Sequence, residues 1–402
     1  MSDKQNKLSQ KYTYSLADFD ELIDRRGTNC VKYDFCSDVF GTDDILPMWM
    51  ADMDFRTPDF VFDAIKERSK HPVLGYSRPP QDYFSVVSDW IKNLHNWDVK
   101  EDWMGFLPGI VPGLSFAIQV YTQIGDEVVI QPPVYHPFIH CVKENNRTLV
   151  YNPLKMVDGY FEMDFDDLER KITDKTKLFI LCNPHNPGGK VWSRETLVRL
   201  AEICSNHGIT VVSDEIHSDM VLHGYKHTPF ASVSEEAKKI SITYMAPSKS
   251  FNMPGLITSY YIIPNQDLRA QFSSFLKKND LIGGNIFAYA ATKAVYLHGS
   301  NWLQQMLKYV QGNIDYVVEF LKKNIPQIKP IIPQASFLIF LNCKDLGFGP
   351  DDLQRFFIEK AKIGMNDGRM FGPGGEYHVR MNIACPRSTV EEAMNRIKQN
   401  LS

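Results

Sequence analysis

The sequence predicts an α/β protein in which helices cover both faces of a mixed, mostly parallel sheet. Between residues 105 and 265, short and continuously apolar stretches such as "LFIL" and "ITVV" alternate with helical patterns. Strands that are apolar throughout belong to sheets that are buried on both faces. Beyond residue 295 the pattern changes to longer helical stretches between isolated strands, which predicts a smaller α+β domain.

The length of 402 residues favours two domains. We expect residues 47–295 to form the large α/β domain, and residues 1–46 together with residues 296–402 to form the small domain from both chain ends. Within the first of these ends, residues 15–26 are predicted to form a helix that packs against the C-terminal part.

The large domain is predicted to alternate helices and strands. One helical pattern begins near Gly109 and is closed by Gly125. Another is capped by Ser193 and stops at Gly208, and these residue types are common at helix starts and ends. The predicted strands are "EVVIQPP", "TKLFILCNP", "ITVVSDE", "KKISITYMAP" and "ITSYYIIP".

The C-terminal part is predicted to combine long helices with separate strands. In chain order its elements are the helix "SNWLQQMLKYVQGNIDYVVEFLKKN", the strand "ASFLIFLN", a helix near residues 350–363, the strand "YHVRMNIA" and a final helix from Ser388.

Charge, hydropathy and cysteine usage exclude several classes of protein. A net charge of −4 argues against a general nucleic-acid binder, because phosphate binding needs a basic surface. No apolar run approaches the ~18 residues of a membrane span, and the polar start "MSDKQNKLSQ" lacks the apolar core of a signal peptide. The seven cysteines form no C-x-x-C pair, which predicts reduced thiols and a cytoplasmic location.

Two carboxylates follow the strand "ITVV", at Asp214 and Glu215 of "SDEIH". A carboxylate buried at a strand end costs several kcal/mol unless it meets a partner. Asp214 as a helix cap or salt-bridge partner is the ordinary interpretation. A protonated heterocyclic nitrogen would also supply the missing cation, and pyridoxal phosphate needs such a carboxylate to keep its ring nitrogen protonated.

Two further strand ends carry polar residues. Lys249 in "APSKSFN" is either a surface lysine or an amine that forms a Schiff base with a carbonyl cofactor. Asn186 in "CNPHNPGG" either belongs to a plain Asn–Pro turn or presents a fixed amide to the phenolic oxygen of the cofactor.

The helix that follows Gly109 has the features of a phosphate site. Its first backbone N–H groups point out of the helix, and Pro112 has none, so Ile110, Val111 and Gly113 are the candidate donors. An ordinary helix start with proline in the first turn is the other interpretation.

Two more residues are candidates for binding. Tyr135, just after a strand, either packs in the core or lies flat on an aromatic ring. Arg380 lies within the apolar strand "HVRMNIA", and a buried arginine implies an anion such as a substrate carboxylate. Arg387 is better explained as a surface or structural residue.

A metal site is not predicted. His217, His223 and His227 lie close together among acidic residues, but Gly224 would break a helix carrying the last two and no closed ligand set is present.

Taken together, these motifs resemble the fold-type I pyridoxal-phosphate enzymes of the aspartate aminotransferase superfamily, from about residue 30 to the C-terminus. More narrowly, they look like the MalY/PatB-type carbon–sulfur lyases, which include cystathionine β-lyases. The segments that carry the resemblance are "LPMWMADMDF", "LGYSRP", "PGIVPGLSFAIQVYTQIGDEVVIQPPVYHPF", "NPHNPGGKVW", "VVSDEIHSDM", "APSKSFN" and "RMNIACPRS".

The resemblance implies a seven-stranded sheet, pyridoxal 5'-phosphate as cofactor, an amino-acid substrate and a homodimer with shared active sites. It also implies a role for each site residue. These roles are Lys249 for the Schiff base, Asp214 for the ring nitrogen, Asn186 and His217 for the ring oxygen, Tyr135 for stacking, Ser248 and the N–H groups of Ile110 and Val111 for the phosphate, Tyr76 for the phosphate of the neighbouring subunit, and Arg380 with the backbone of Ala51 for the substrate carboxylate.

Two positions depart from the pattern of the superfamily. Many members have an arginine eight residues after the Schiff-base lysine, where this chain has Ile257. The phosphate would then depend more on the helix start, Ser248 and Tyr76. Gly188 stands where threonine or valine often follows the proline, and is expected to loosen the Asn186 turn.

The activity implied is a β-elimination that converts L-cystathionine or another cysteine S-conjugate into a thiol, pyruvate and ammonia. An aminotransferase of the same fold is an alternative that would use the same lysine and aspartate. A pyridoxal-phosphate-binding regulatory protein is a second alternative, although the ~30 residues ahead of the match are too few for a helix-turn-helix domain.

Overall fold

The predicted large sheet is present in the computed structural model, which describes residues 12–401. Within these residues the strands form one seven-stranded sheet, one four-stranded sheet and two pairs. The strands are β1 Leu46–Pro47, β2 Met104–Leu107, β3 Glu127–Ile130, β4 Thr148–Tyr151, β5 Lys155–Val157, β6 Tyr160–Glu162, β7 Thr176–Cys182, β8 Thr210–Asp214, β9 Ser241–Met245, β10 Ser259–Ile262, β11 Lys329–Ile331, β12 Leu338–Asn342, β13 Ile363–Gly364, β14 Asn366–Asp367 and β15 His378–Asn382.

The α-helices range from single turns to one of 25 residues. They are α1 Val31–Asp34, α2 Cys36–Phe40, α3 Asp59–Ser69, α4 Tyr83–His95, α5 Ile110–Tyr121, α6 Pro137–Glu144, α7 Phe165–Lys171, α8 Arg194–Asn206, α9 Glu235–Ile240, α10 Gln266–Lys278, α11 Ile286–His298, α12 Ser300–Asn324, α13 Pro350–Arg355 and α14 Arg387–Leu401. Within the described part of the chain, none is both long and apolar enough to cross a bilayer.

The seven-stranded sheet has the order β2-β10-β9-β8-β7-β3-β4. Strand β10 is antiparallel to both of its neighbours, and the pairs from β9 to β4 are parallel. The carboxyl ends of β2, β3, β7, β8 and β9 therefore lie at the same edge, where ligands bind in sheets of this kind.

Apolar side chains of this sheet alternate between two packed faces. Val128 faces a cluster that includes α5 and α10, whereas Val129 faces a cluster that includes α8. On the neighbouring strand, Leu178 faces the first of these clusters and Phe179 faces the second. Because both faces are covered, the strands read as unbroken apolar runs in the sequence.

The four-stranded sheet has the order β11-β12-β15-β14 and is antiparallel throughout. The two long helices α12 and α14 pack together beside it. Asn313 of α12 is fully buried and donates to the carbonyl oxygens of Ile383 and Cys385, each at 2.9 Å. These bonds fix the long helix to the segment that follows β15.

The prediction of a helix over residues 15–26 was wrong in extent. Only Leu16–Phe19 forms a single 3-10 turn, residues 20–25 are irregular, and turns follow at residues 26–29. The predicted packing is nonetheless present: the ring of Phe19 lies 5.6 Å from Trp302 and 5.7 Å from Tyr309 of α12. The part of the 1–46 prediction that covers residues 1–11 lies outside the described residues.

Other boundaries differ by a few residues. Helix α5 ends at Tyr121 rather than Gly125, since Thr122 is already extended. The helix expected near residues 350–363 is α13 followed by a π-helical turn, Phe356–Lys360. Strands β2 and β4 were not individually predicted, and each has only four residues.

Truncating Leu178 to alanine should weaken the large sheet. This side chain is 0% exposed within the apolar cluster beneath α5, so Leu178→Ala is expected to lower the free energy of unfolding by about 2–5 kcal/mol. Urea unfolding followed by circular dichroism measures it. Ile124→Ala, at a side chain 77% exposed, is the control and should change the value by less than about 0.5 kcal/mol. Equal effects in the two variants would contradict the assignment of the core.

Candidate active site

The candidate residues gather at one edge of the seven-stranded sheet. Asp214 is the last residue of β8, Asn186 lies in the turn after β7, and Lys249 lies in the turn after β9. These three strands are parallel neighbours. The sheet itself thus brings together residues that lie up to 63 positions apart in the sequence.

Asp214 is a buried carboxylate, with 4% of its surface exposed. Its Oδ1 accepts a hydrogen bond of 3.1 Å from the backbone N–H of Ile216. The pKa of Asp214 is raised to about 7, chiefly by burial and also by the neighbouring Glu215, against the opposite effects of the Ile216 N–H bond and Lys249. A cation at this carboxylate would relieve the cost of its burial.

Lys249 is partly buried, and its Nζ donates a hydrogen bond of 2.5 Å to the carbonyl oxygen of Ala51. Burial lowers the pKa of Lys249 to about 8, while the carboxylates of Asp52 and Asp214 favour the charged form and Arg380 disfavours it. A substantial fraction of this amine is therefore neutral near pH 8, and a neutral amine is the nucleophilic form.

Arg380 on β15 reaches from the smaller sheet into the site and is 3% exposed. Its Nη1 donates to Asn186 Oδ1 at 3.1 Å, and its Nη2 donates to the Trp49 carbonyl at 3.2 Å and to Asn366 Oδ1 at 2.6 Å. The Nε–H is buried without a partner among residues 12–401. Burial lowers the pKa of Arg380 to about 10, so it remains a cation.

The contact with Arg380 also orients the side chain of Asn186. A guanidinium has only donors, so the amide oxygen of Asn186 must face it, and Nδ2 faces the other way. The backbone N–H of Asn186 donates to Cys182 Sγ at 3.3 Å. The asparagine is therefore positioned to donate a hydrogen bond from Nδ2.

Glycine is needed at position 188 for a steric reason. The loosening of the turn that was expected from the sequence is not seen. A Cβ at this position would lie 2.5 Å from Cδ2 of Phe161 and 3.2 Å from Nδ1 of His185. The turn that carries Asn186 is thus packed tightly, and a larger residue would displace it.

The start of α5 provides the predicted anion site. Gly109 has φ 134° and precedes the helix, a conformation that favours glycine. The N–H of Gly113 donates to the Gly109 carbonyl at 3.1 Å, so it is used within the helix. The N–H groups of Ile110 and Val111 belong to the first turn, where helices leave donors without an internal partner.

Three further candidates lie in the same region. Tyr135 follows β3 and is partly buried, and burial raises its pKa to about 12. His217 is 5% exposed, and its Nδ1 is buried without a partner in the described part of the chain. Burial lowers the pKa of His217 to about 3, which keeps the ring neutral. Ser248 is 8% exposed and precedes Lys249.

Two positions considered in the sequence analysis, Tyr76 and Ile257, are exposed at the surface of this chain. Tyr76 is fully exposed on the irregular segment after α3. Ile257, at the position where many relatives have an arginine, has φ 48° and is 61% exposed. Neither side chain lines the cavity beside Lys249.

The three histidines considered for a metal have separate environments. His227 Nε2 lies 2.8 Å from Glu215 Oε2, His223 is exposed, and His217 faces the site described above. Across residues 12–401, no group of three or more histidine, cysteine, aspartate or glutamate side chains is arranged to hold a metal ion.

Sequence reasoning missed a second layer of charges behind the site. Fully buried Glu215 accepts from Ser213 Oγ at 2.8 Å and from the Phe230 N–H at 2.9 Å, besides its contact with His227. Asp219 lies 2.9 Å from Nε2 of His95, a residue 124 positions away. The only signal in the sequence was the acidic pair after β8, and it did not identify the partners.

The comparisons with known proteins agree with this geometry. The profile "Aminotransferase class I and II" matches residues 45–397. The chain belongs to the aminotransferase class I and II family. Cystathionine beta-lyase PatB of Bacillus subtilis is 46% identical and covers 96% of this chain and 100% of its own length.

Two more proteins place the chain within the family. Protein MalY of Escherichia coli is 34% identical over 94% of this chain and 97% of its own. The pyridoxal-phosphate-bound C-S lyase of Staphylococcus hominis is 34% identical, with a TM-score of 0.89 over 95% of this chain and 97% of its own. The expected MalY/PatB-type group of pyridoxal-phosphate-dependent carbon–sulfur lyases is confirmed, as is the fold.

The residues present fit this cofactor. Asp214 supplies a buried anion for the protonated ring nitrogen, and Lys249 supplies the amine for the aldehyde. Asn186 Nδ2 faces away from Arg380 as a donor, and α5 offers first-turn N–H groups to a phosphate. These groups are the ones that pyridoxal phosphate requires.

The lowered pKa of Lys249 predicts how cofactor capture depends on pH. Because the protonated fraction grows as the pH falls below about 8, the rate of Schiff-base formation should rise about tenfold per unit up to that pH and then level off. Borohydride-reducible absorbance after adding pyridoxal phosphate to cofactor-free protein measures the rate. Nα-acetyl-lysine is the control, and its rate should keep rising to about pH 10. A protein profile that follows the control would contradict the shift.

Proposed function

We propose that this chain acts as a pyridoxal-phosphate-dependent carbon–sulfur β-lyase on S-substituted L-cysteines, L-cystathionine included. Water and the substrate yield a thiol, pyruvate and ammonia. One observation carries this proposal: a low-pKa lysine and a buried aspartate lie at one edge of the large sheet, and a buried arginine reaches the same site from the smaller sheet. The relatives named as cystathionine β-lyase and C-S lyase support the same reaction.

When bound, pyridoxal phosphate supplies an aldehyde that condenses with amines and a protonated ring that withdraws electrons from Cα. We assign Asp214 to hold the proton on the ring nitrogen. Asn186 Nδ2 and His217 would serve the ring oxygen, and Tyr135 would pack against the ring. Ser248 and the N–H groups of Ile110 and Val111 would hold the phosphate.

Lys249 is assigned as the base that takes the proton from Cα of the substrate. A base is most effective when its pKa lies near the working pH, and burial lowers that of Lys249 to about 8. Its bond to the Ala51 carbonyl keeps Nζ on the Ala51 side of the pocket. Loss of the Cα proton allows the sulfur to leave Cβ with the bonding electron pair.

Arg380 is assigned to the α-carboxylate. Three of its five N–H groups are used by Asn186, Trp49 and Asn366, and Nε–H is buried without a partner in the described residues. A substrate carboxylate would satisfy it, with the backbone at Ala51 close by. β-Elimination needs no clamp for a second carboxylate, so one arginine suffices.

The organisation of the protein forms part of the proposal. Residues 47–295 act as the large cofactor-binding domain, and residues 1–46 with 296–402 act as the small one. All seven cysteines are free thiols, which supports a cytoplasmic enzyme. The full exposure of Tyr76, beside Val73 at 60% and Leu74 at 65%, supports a homodimer in which Tyr76 reaches the phosphate of the other subunit.

Replacing the lysine tests the chemistry. Lys249→Ala should lower pyruvate release from L-cystathionine and S-methyl-L-cysteine by at least about 10³-fold, because both the covalent partner and the base are lost. Pyruvate is measured with lactate dehydrogenase in the absence of any added keto acid. Lys66→Ala, at an exposed lysine of α3, is the control and should retain wild-type activity.

The same assay separates the lyase from an aminotransferase. An aminotransferase returns the amine to a keto acid and leaves the C–S bond intact, so the wild-type protein would then release no pyruvate and would instead convert a supplied keto acid into its amino acid. Undiminished pyruvate release by Lys249→Ala would refute the role of this lysine.

Subunit complementation tests the shared site. Tyr76→Ala and Lys249→Ala homodimers should each be nearly inactive. Each mixed dimer contains one site with both wild-type residues, so co-expression in equal amounts should restore about a quarter of wild-type activity. Two affinity tags identify the mixed dimer. No recovery in isolated mixed dimers would show that Tyr76 acts within its own subunit.

A further inference from the structure

A cavity of about 690 Å³ lies beside Lys249, on the side of Ala51. Residues 249–256 form one wall, residues 50–57 another, and the N-terminal segment 23–31 together with α3 closes it from outside. Lys249 Nζ, bonded to the Ala51 carbonyl, lies at this cavity. A group attached to the sulfur of the substrate would extend into it.

Most side chains that line the cavity away from Lys249 are apolar. They come from three separate parts of the chain, which fold together around the same space. The apolar side chains from these three parts include Ile23, Val31, Phe62, Ile65, Met253 and Leu256.

The cations at this cavity other than Lys249 are already paired. Arg25 binds Asp52 through two hydrogen bonds, of 2.6 and 3.0 Å, and binds Asp54 at 2.7 Å. Arg56 forms a two-fold contact with Glu21, of 2.5 and 2.9 Å. The charge of each guanidinium is thus already balanced by a carboxylate partner.

The anions are balanced as well. Asp54 receives a second cation from Lys32, whose Nζ lies at 2.7 Å and whose side chain is 1% exposed. Arg25 and Lys32 together therefore neutralise Asp52 and Asp54. Among the described residues at this cavity, both carboxylates therefore already face a counter-charge.

We propose, on the basis of the lyase activity proposed above, that this cavity receives the sulfur substituent and selects neutral, apolar thiol leaving groups over one that carries a second amino-acid group. The leaving group of L-cystathionine bears a carboxylate and an ammonium. Both would lose water in the cavity without meeting an uncompensated counter-charge, whereas an alkyl or aryl group gains from contact with the apolar walls.

The wild-type enzyme provides the first test. The value of kcat/KM for S-benzyl-L-cysteine should exceed that for L-cystathionine by at least about tenfold, judged by pyruvate release. A preference for L-cystathionine would overturn the inference. That result would mean that partners for the second amino-acid group come from the neighbouring subunit or from rearranged ion pairs.

An added cation should reverse part of this preference. Leu256→Arg places a positive charge without a partner in the apolar wall, and should lower the kcat/KM ratio of S-benzyl-L-cysteine to L-cystathionine by at least about tenfold. Phe62→Arg is a second variant at a side chain 43% exposed, in case the first does not fold. The control Ile124→Arg lies outside the cavity and should leave the ratio unchanged. An unchanged ratio in both folded cavity variants would overturn the inference.

S-Methyl-L-cysteine separates this inference from the proposed function. Its methyl group is too small to fill the cavity, so pyruvate release from it reports the elimination chemistry alone. Turnover of S-methyl-L-cysteine with no preference for the benzyl substrate would overturn the selectivity and leave the lyase intact. No pyruvate from any of the three substrates would overturn both.

Discussion

A buried negative charge at the end of a parallel strand organises this active site. Asp214 is removed from water, and its pKa is raised to about 7 by burial, so the folded chain holds a carboxylate that lacks a full counter-charge. The parallel sheet places Lys249 and Asn186 at the neighbouring strand ends, and β15 brings Arg380 from the second sheet. Together these side chains form a site that would suit a cationic ring paired with this carboxylate.

The same strand end serves two purposes through two adjacent residues. Asp214 faces the pocket, whereas Glu215 is satisfied by Ser213, His227 and the backbone of Phe230. Glu215 is thus bound within the structure, whereas the carboxylate of Asp214 keeps only the N–H of Ile216 as a hydrogen-bond partner among the described residues. The sequence pattern showed two acids after an apolar strand but did not distinguish their environments.

Much of the fold and of the site could be predicted because both depend on local patterns. Unbroken apolar strands and capped helices predicted the large sheet. The positions of Asp214, Lys249 and Asn186 at strand ends predicted them as candidate site residues. The short strands β2 and β4 lacked enough residues for a clear pattern. The partners of Arg380, namely Asn366 and the Trp49 carbonyl, depend on contacts between distant segments. Glycine is needed at position 188 because the side chain of Phe161 lies against it. This contact is also tertiary, and the spacing of residues in the sequence gives no sign of it.

The guanidinium of Arg380 fastens two parts of the molecule as well as facing the pocket. It stands on the smaller sheet, yet it holds the Asn186 turn of the larger sheet and the backbone of Trp49. A lysine could not replace it, because a single ammonium lacks the planar set of donors needed for three directions at once. Every substitution at this residue therefore also alters how firmly the two sheets are joined.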